Sequence, residues 1–315
     1  MATATATAEG GTTEVVRRAG GGKRKNPTQG PETLSPAAPE PCARLSPLVD
    51  STPVWHATPG ALASRLRRQG YLYIRRVATR LTVDAARAAV LAHLAAEVPG
   101  ALVPGGADAQ AGPTPPGLLG RPHVAKLPDV AALLEHPALF ALAAAVLDTP
   151  VEEVATCAYK WLRAVPPGQF TGVHCDVRYV SGPIVTLWLP LGDVPLHMGG
   201  LLIAHASNRL TSFSRLRDTY LRAPLGADGT ASGWLCDTAD GLDAHMAAAG
   251  HDPPQWHGGD VHAGDVVVLA PTTWHVTLSN ATQQLRISCD TRWQAASGKR
   301  DAKLTAWTNA DGDAV

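Results

Sequence analysis

The chain has 315 residues, 27 of them basic and 27 acidic, with 45% apolar side chains. That length suffices for one large or two ordinary domains with a substantial core, and zero formal charge removes any global attraction to nucleic acid or anionic lipid. The five cysteines (Cys42, Cys157, Cys175, Cys236 and Cys289) are odd in number and form no C-x-x-C pair, which argues against a disulfide framework or structural zinc and for a reducing compartment.

Residues 1–52 are rich in Gly, Pro, Thr and Ser and lack apolar periodicity. They are expected to be a disordered tail, because they bury too little surface to offset their ordering entropy. The opening MATATATAEGG lacks the apolar core of a secretory signal. Arg17 and Arg18 leave an organellar transit peptide open, with Glu9 and Glu14 against it, and Lys23-Arg24-Lys25 reads as solvated tail before nuclear signal. The expected compartment is the cytoplasm. One domain then occupies 53–315. Thr58-Pro59 predicts a capped helix over 61–69 closed by Gly70, and 71–74 a strand. The spacing of Val83, Ala86, Val90 and Leu94 predicts a helix over 82–97, before a Gly/Pro loop at 99–117. A further helix, 129–147, should break or bend near Pro137. Glu135, His136 and Pro137 interrupt it, so no membrane span is expected.

From residue 150 the texture changes to short strands, at 154–165, 171–180, 184–191, 200–204, 266–269, 275–278 and 285–293. Helices first and strands afterwards predict a mainly β core with flanking helices. Residues 222–263 break the pattern as a long polar insertion with His245, His251, His257 and His262. Their spacing fits no metal motif, so they are expected to be solvated loop histidines.

In Thr171-Gly172-Val173-His174-Cys175-Asp176, strand alternation aims His174 and Asp176 to one face. An imidazole and a carboxylate converging there supply two ligands of a facial triad. His275 and Thr277 share a face of a later strand, and Arg286 sits on the returning one, opposite Leu285, Ile287 and Cys289. If that side is the interior, the guanidinium needs a carboxylate, and a dicarboxylate cosubstrate answers it through paired hydrogen bonds. On the residues alone, a hydrogen-bonded core trio and an Arg286–Asp290 ion pair stay open. Tyr159, Lys160, Trp161 and Arg163 can shape a pocket or simply pack.

These features resemble the phytanoyl-CoA dioxygenase branch of the iron(II)/2-oxoglutarate oxygenases. The resemblance rests on His174-x-Asp176, Leu187-Trp188-Leu189-Pro190-Leu191, Gly199-Gly200-Leu201 and His275-x-Thr277-x-x-Asn280, with Arg286 eleven residues past the histidine. It runs over roughly residues 58–295. It implies a double-stranded β-helix, a jelly-roll or cupin-like core. It implies iron(II) on His174, Asp176 and His275, and 2-oxoglutarate held at its distal carboxylate by Arg286 and Thr277. Lys126 matches a lysine that helps bind the same cosubstrate, and Trp188 a site-lining residue; surface and core-packing roles are their alternatives. The implied chemistry consumes 2-oxoglutarate and O2, releases succinate and CO2, and oxidises a small or medium organic substrate. Asp176 favours hydroxylation or a related oxidation over halogenation, because halogenating relatives leave that ligand position empty. One departure is Ala204-His205-Ala206-Ser207-Asn208, where relatives read P-G-S-H, which puts that loop's geometry in question. The alternatives are a catalytically silent β-helix binding protein and a cupin-type metal enzyme without 2-oxoglutarate. No nucleic-acid partner is expected, and the oligomeric state is not indicated.

Overall fold

Strand β1 (Leu45–Pro47) and helix α1 (Thr52–Ala57) open the fold in a computed structural model that describes residues 45–106, 108–114, 117–118, 122–223, 233–299, 301, 304 and 306–315. The predicted tail over 1–52 lies outside the described residues up to 44, but β1 falls within it. The edge of a parallel partner strand satisfies its backbone, pairing Leu45 with Trp256. Ser51 is then fully buried, its N–H donating to Tyr73 O at 2.8 Å. Ordering this segment therefore depends on a partner 211 residues on, which local composition does not register.

Helix α2 (Leu62–Gln69) follows a 3-10 turn at Pro59–Ala61 and ends on Gly70, whose φ of 80° is the left-handed conformation glycine adopts freely. Strand β2 (Tyr71–Ile74) follows directly. Helix α3 (Arg80–Glu97) starts two residues before its predicted position, because the Thr79 hydroxyl caps Thr82 N–H at 3.2 Å. It buries the predicted stripe of Val83, Ala86, Val90 and Leu94. After β3 (Gly117–Leu118) and α4 (Pro122–Ala125) come α5 (Pro128–Leu134) and α6 (Pro137–Leu147). The predicted interruption near Pro137 is a full break: His136 caps Ala138 N–H through Nδ1 at 3.1 Å, and Pro137 occupies the first helical position. By length and composition, 128–147 could cross a membrane. Here Val130, Leu133 and Leu134 pack in the cluster under α3, and Leu139, Phe140, Leu142, Ala143 and Val146 in the cluster under α2.

The remaining elements are β4 (Val154–Cys157), β5 (Trp161–Val165), β6 (Thr171–His174), β7 (Val185–Pro190), β8 (Leu201–Ala204) and α7 (Ser214–Arg222). Then come α8 (Ala239–Ala248), β9 (Trp256–Gly258), β10 (Val266–Leu269), β11 (His275–Thr277), β12 (Arg286–Ala295) and β13 (Trp307–Thr308). The predicted 154–165 strand is two, β4 and β5, paired with opposite halves of one edge of β12. The predicted insertion is no simple loop either, since it contains α8 and the sheet strand β9.

One sheet runs β1-β9-β8-β11-β6, the other β13-β4-β12-β7-β10-β2, with β5 also on β12 and β3 on β5. Tyr71, Tyr73, Trp188, Leu201, Ile203, Val267 and Leu269 meet between them. Outside the larger sheet, α2 and α6 cover Val266, Val268, Leu187 and Trp293, while α3 and α5 cover Leu285, Ile287 and Cys289. Outside the smaller sheet, residues of α8 cover Leu202, Ala204 and Val276. Strand β10 is apolar on both faces because both are covered, each side chain being worth roughly 1.5–3 kcal/mol in burial. This is the mainly β, jelly-roll arrangement with flanking helices that the sequence predicts.

Candidate metal centre

Strands β6 and β11 lie side by side in antiparallel pairing with His174 opposite His275, which brings residues 101 apart in sequence into ring contact at 4.2 Å between centroids. Asp176 does not extend β6, as the sequence led us to expect. It opens a 3-10 turn, Asp176–Arg178, while Cys175 stays extended (φ −119°, ψ 141°) and so still aims Asp176 to the side of His174. Both Nε2 atoms lie 3.9 Å from Asp176 Oδ1, and one ligand atom from each residue falls within 4.8 Å of the others. All three side chains are buried, and they form the single such group among the described residues.

The histidines are held in the ligating tautomer. His174 Nδ1 lies 2.8 Å from Gly172 O and His275 Nδ1 3.0 Å from Thr273 O. A carbonyl only accepts, so each Nδ1 carries the proton and each Nε2 presents a lone pair. Burial, then the neighbouring His275, pushes His174 down to about 3 against the pull of Asp176. Burial alone would raise Asp176, but Arg292 first and then His275 and His174 hold its carboxyl well below the usual range. Arg292 Nη2 donates to Asp176 Oδ1 at 3.3 Å, and the Thr186 hydroxyl donates to Oδ2. Two imidazoles oriented with Nε2 toward an ionised carboxylate are a donor set suited to a divalent first-row metal.

Beside the triad, a small cavity is lined by Arg163, Thr171, Trp188, Leu201, Leu269, Thr277, Arg286 and Asp290. Arg286 is 1% exposed. Its Nη1 donates to Gly199 O, whereas Nε and Nη2 are buried without a partner. Burial, then Arg163, lowers it to about 10. The Arg286–Asp290 ion pair that the sequence leaves open as an alternative does not form: Asp290 pairs with Arg163 instead. Gly199 takes φ +83°, and a Cβ there would sit 3.0 Å from Leu278 O, so this contact needs glycine. Asn280 ties the β11–β12 turn to β5 through Val165 O at 3.0 Å, fixing the register that sets His275 near Arg286. Thr277 Oγ1 accepts from Thr171 N–H at 2.8 Å, leaving its own proton to donate. Two unpartnered guanidinium donors and this hydroxyl fit a carboxylate beside the metal ligands.

Trp188 is buried and lines the cavity from β7, opposite Asp290 on β12. Lys126 is not brought here: it follows α4 with its side chain exposed and is not among the cavity-lining residues. Ala206 accommodates the altered loop at φ 56°, and Ser207 Oγ accepts from Trp274 N–H at 3.0 Å. Of the four insertion histidines, His245, His251 and His262 are exposed as expected, but His257 is buried on β9. Thr186, Arg292 and Asp290 escaped the sequence reading as site residues. The signal for two of them was present, since Arg286, Ser288, Asp290 and Arg292 alternate along one face of β12.

A model of the phytanoyl-CoA dioxygenase (PhyH) family matches residues 66–288. No curated protein sequence matches. Among solved structures, the epimerase SnoN from nogalamycin biosynthesis, in complex with Fe3+, alpha-ketoglutarate and nogalamycin RO, is 20% identical with a TM-score of 0.53, covering 79% of this chain and 90% of that one. The carbocyclase SnoK is 20% identical with a TM-score of 0.53, covering 76% and 85%. AviO1 from Streptomyces viridochromogenes Tue57 is 18% identical with a TM-score of 0.52, covering 77% and 97%. At these identities the likeness is one of fold.

Proposed function

This chain belongs to the phytanoyl-CoA dioxygenase family, and from that premise we propose that it is an iron(II)- and 2-oxoglutarate-dependent oxygenase acting on a small or medium organic molecule. The observation that carries the reading is Arg286, a buried guanidinium with two unpartnered donors in a cavity walled by His174 and His275. When bound, iron, 2-oxoglutarate and dioxygen supply the oxidising power, with succinate and CO2 as co-products. His174 and His275 would hold the iron through Nε2 and Asp176 through its carboxylate, three protein ligands that leave the metal able to take the cosubstrate. Arg286 and the Thr277 hydroxyl hold the distal carboxylate of the cosubstrate, and Trp188 closes that wall against water. Lys126, on the surface, has no part in this reading.

Hydroxylation is the proposed outcome, because Asp176 occupies the position a halide would need. SnoN and SnoK, an epimerase and a carbocyclase, are the same fold put to other uses. The silent-protein alternative is disfavoured by a triad and Arg286 that are all present and oriented. The test is anaerobic titration of the protein with iron(II) and 2-oxoglutarate, following the visible charge-transfer band of the chelate. The band should appear in the wild type and weaken at least ~10-fold in apparent affinity in Arg286→Ala. Iron binding without a band would favour a metal enzyme that does not use 2-oxoglutarate, and no iron binding the silent protein.

A further inference from the structure

We infer that Arg163 is a second carboxylate-binding residue of this cavity, with Asp290 as the counter-ion it exchanges when a carboxylate arrives; this rests on the function proposed above. Arg163 lies on β5 opposite Ser288, two residue pairs from Arg286 and Val165 and so on the same face as Arg286. It lines the same cavity as His174 and His275, and its charge depresses the pKa of both His174 and Arg286. Its pairing with Asp290 is poorly matched. Nε and Nη2 both reach the single oxygen Oδ2, each at 3.3 Å, so the guanidinium fork meets one oxygen and Asp290 Oδ1 stays outside the pair. A bidentate pair uses both oxygens at about 2.7–2.9 Å. Both side chains also keep contact with solvent, 26% for Arg163 and 15% for Asp290, unlike the 4% of Arg292 and Asp176.

Charge points the same way. Three guanidiniums, Arg163, Arg286 and Arg292, face two carboxylates, Asp176 and Asp290, around the centre. Lys160, another buried cation, is answered separately by Glu135 at 3.3 Å. Iron(II) and the dianion of 2-oxoglutarate cancel, and the histidines ligate as neutral imidazoles. The filled site therefore keeps one positive charge in excess. An excess charge in a partly desolvated cavity favours an answering anion. Arg286 is committed to the distal carboxylate, and Arg292 to Asp176 and the face of Trp161 at 4.7 Å. Arg163 remains as the cation open to the cavity. A carboxylate can reach it from two sources, the end of 2-oxoglutarate nearest the metal or an acidic group on the substrate.

The experiment uses the full chain with iron(II) under anaerobic conditions. The chelate band is titrated with 2-oxoglutarate, and the filled complex then with acetate, benzoate and uncharged benzamide, reading the band and the thermal midpoint. The variants are Arg163→Met and Asp290→Asn. If the carboxylate is the cosubstrate's, Arg163→Met weakens 2-oxoglutarate by about tenfold or more. If it is the substrate's, 2-oxoglutarate affinity is kept, and the wild type answers a carboxylate probe but not benzamide, a response Arg163→Met loses. In either case Asp290→Asn acts in the opposite sense and tightens the same carboxylate, because the competing anion is gone. A purely structural pair would make both variants weaken binding together, and that result overturns the inference. So does Arg163→Met keeping 2-oxoglutarate affinity while no probe is answered by the wild type. Absence of the band in the wild type removes the proposed function itself, and this inference with it.

Discussion

Two histidine pairs sit within this fold at nearly the same ring separation, His174 and His275 at 4.2 Å and His205 and His257 at 4.6 Å. The first pair has a carboxylate within 3.9 Å of both Nε2 atoms. The second has a phenol: the Tyr71 hydroxyl lies 2.7 Å from His257 Nδ1 while accepting from Val49 N–H at 3.0 Å. Carbonyls place the proton on Nδ1 of His174 and His275 and free Nε2. The Tyr71 hydroxyl, already an acceptor, gives its proton to His257 Nδ1, which moves the ring proton to Nε2. The rings of the first pair are ready to ligate, and the ring of His257 is not. Histidine proximity alone does not make a metal site; an anion and two carbonyls in the right places do.

The largest effect that would break this contrast is removal of the anion. Asp176→Ala should lower iron(II) affinity at least ~100-fold, leaving two ordinary histidine pairs. Anaerobic metal titration measures it, and retention of wild-type affinity would reject Asp176 as a ligand. The next effect sharpens the contrast by disturbing support. Arg292→Met removes the charged donor to Asp176 Oδ1. It should weaken iron(II) by about 10–100-fold, with partial rescue in Arg292→Lys. A loss of stability with unchanged metal affinity would make Arg292 structural.

How far these contrasts were legible depends on whether the partners were local. His174 and Asp176 are two residues apart, and His275, Thr277 and Arg286 lie on consecutive strands, β11 and β12, joined by one short turn, so strand alternation aimed each group correctly. The helices of the flank were equally readable, since Val83, Ala86, Val90 and Leu94 form one stripe whatever packs on them. Strands β1 and β9 were not. Each is three residues long, and each is ordered by pairing with a strand distant in sequence. His257 was misread as solvated for that reason: its burial comes from pairing with Ile203, not from its neighbours. Arg292 was overlooked although it shares the face of Arg286, because the partner that explains it, Asp176, is 116 residues away.

Acidification tests both pairs together. Burial lowers His174 to about 3 and His257 to about 4, from 6.5. Between those values and 6.5 the unfolded chain binds protons that the folded chain refuses. Stability is therefore full above pH 6.5 and falls as pH drops below it. Asp176, held low, adds a loss in the same direction once the pH falls below its usual 3.8. Urea unfolding as a function of pH should show a midpoint that declines from pH 6.5 downward. His257→Gln should flatten the part of the slope owed to the second pair. A midpoint independent of pH over that range would mean the histidines are not buried neutral.

The smallest effect concerns Tyr71, the group that makes the second pair what it is. Tyr71→Phe keeps the ring within its apolar cluster and removes only the hydroxyl. That leaves Val49 N–H and His257 Nδ1 without their common partner. The cost should be about 1–3 kcal/mol of unfolding free energy. Iron(II) affinity should stay within about twofold, because neither carbonyl nor Asp176 is touched. His257 then has no donor fixing its tautomer, so nitrogen NMR should find a single protonation pattern on its imidazole in the wild type and a mixture in the variant. If instead iron affinity falls tenfold, the two pairs are coupled through the sheet that carries β8, β9 and β11, and the contrast between an isolated metal centre and an inert histidine pair fails.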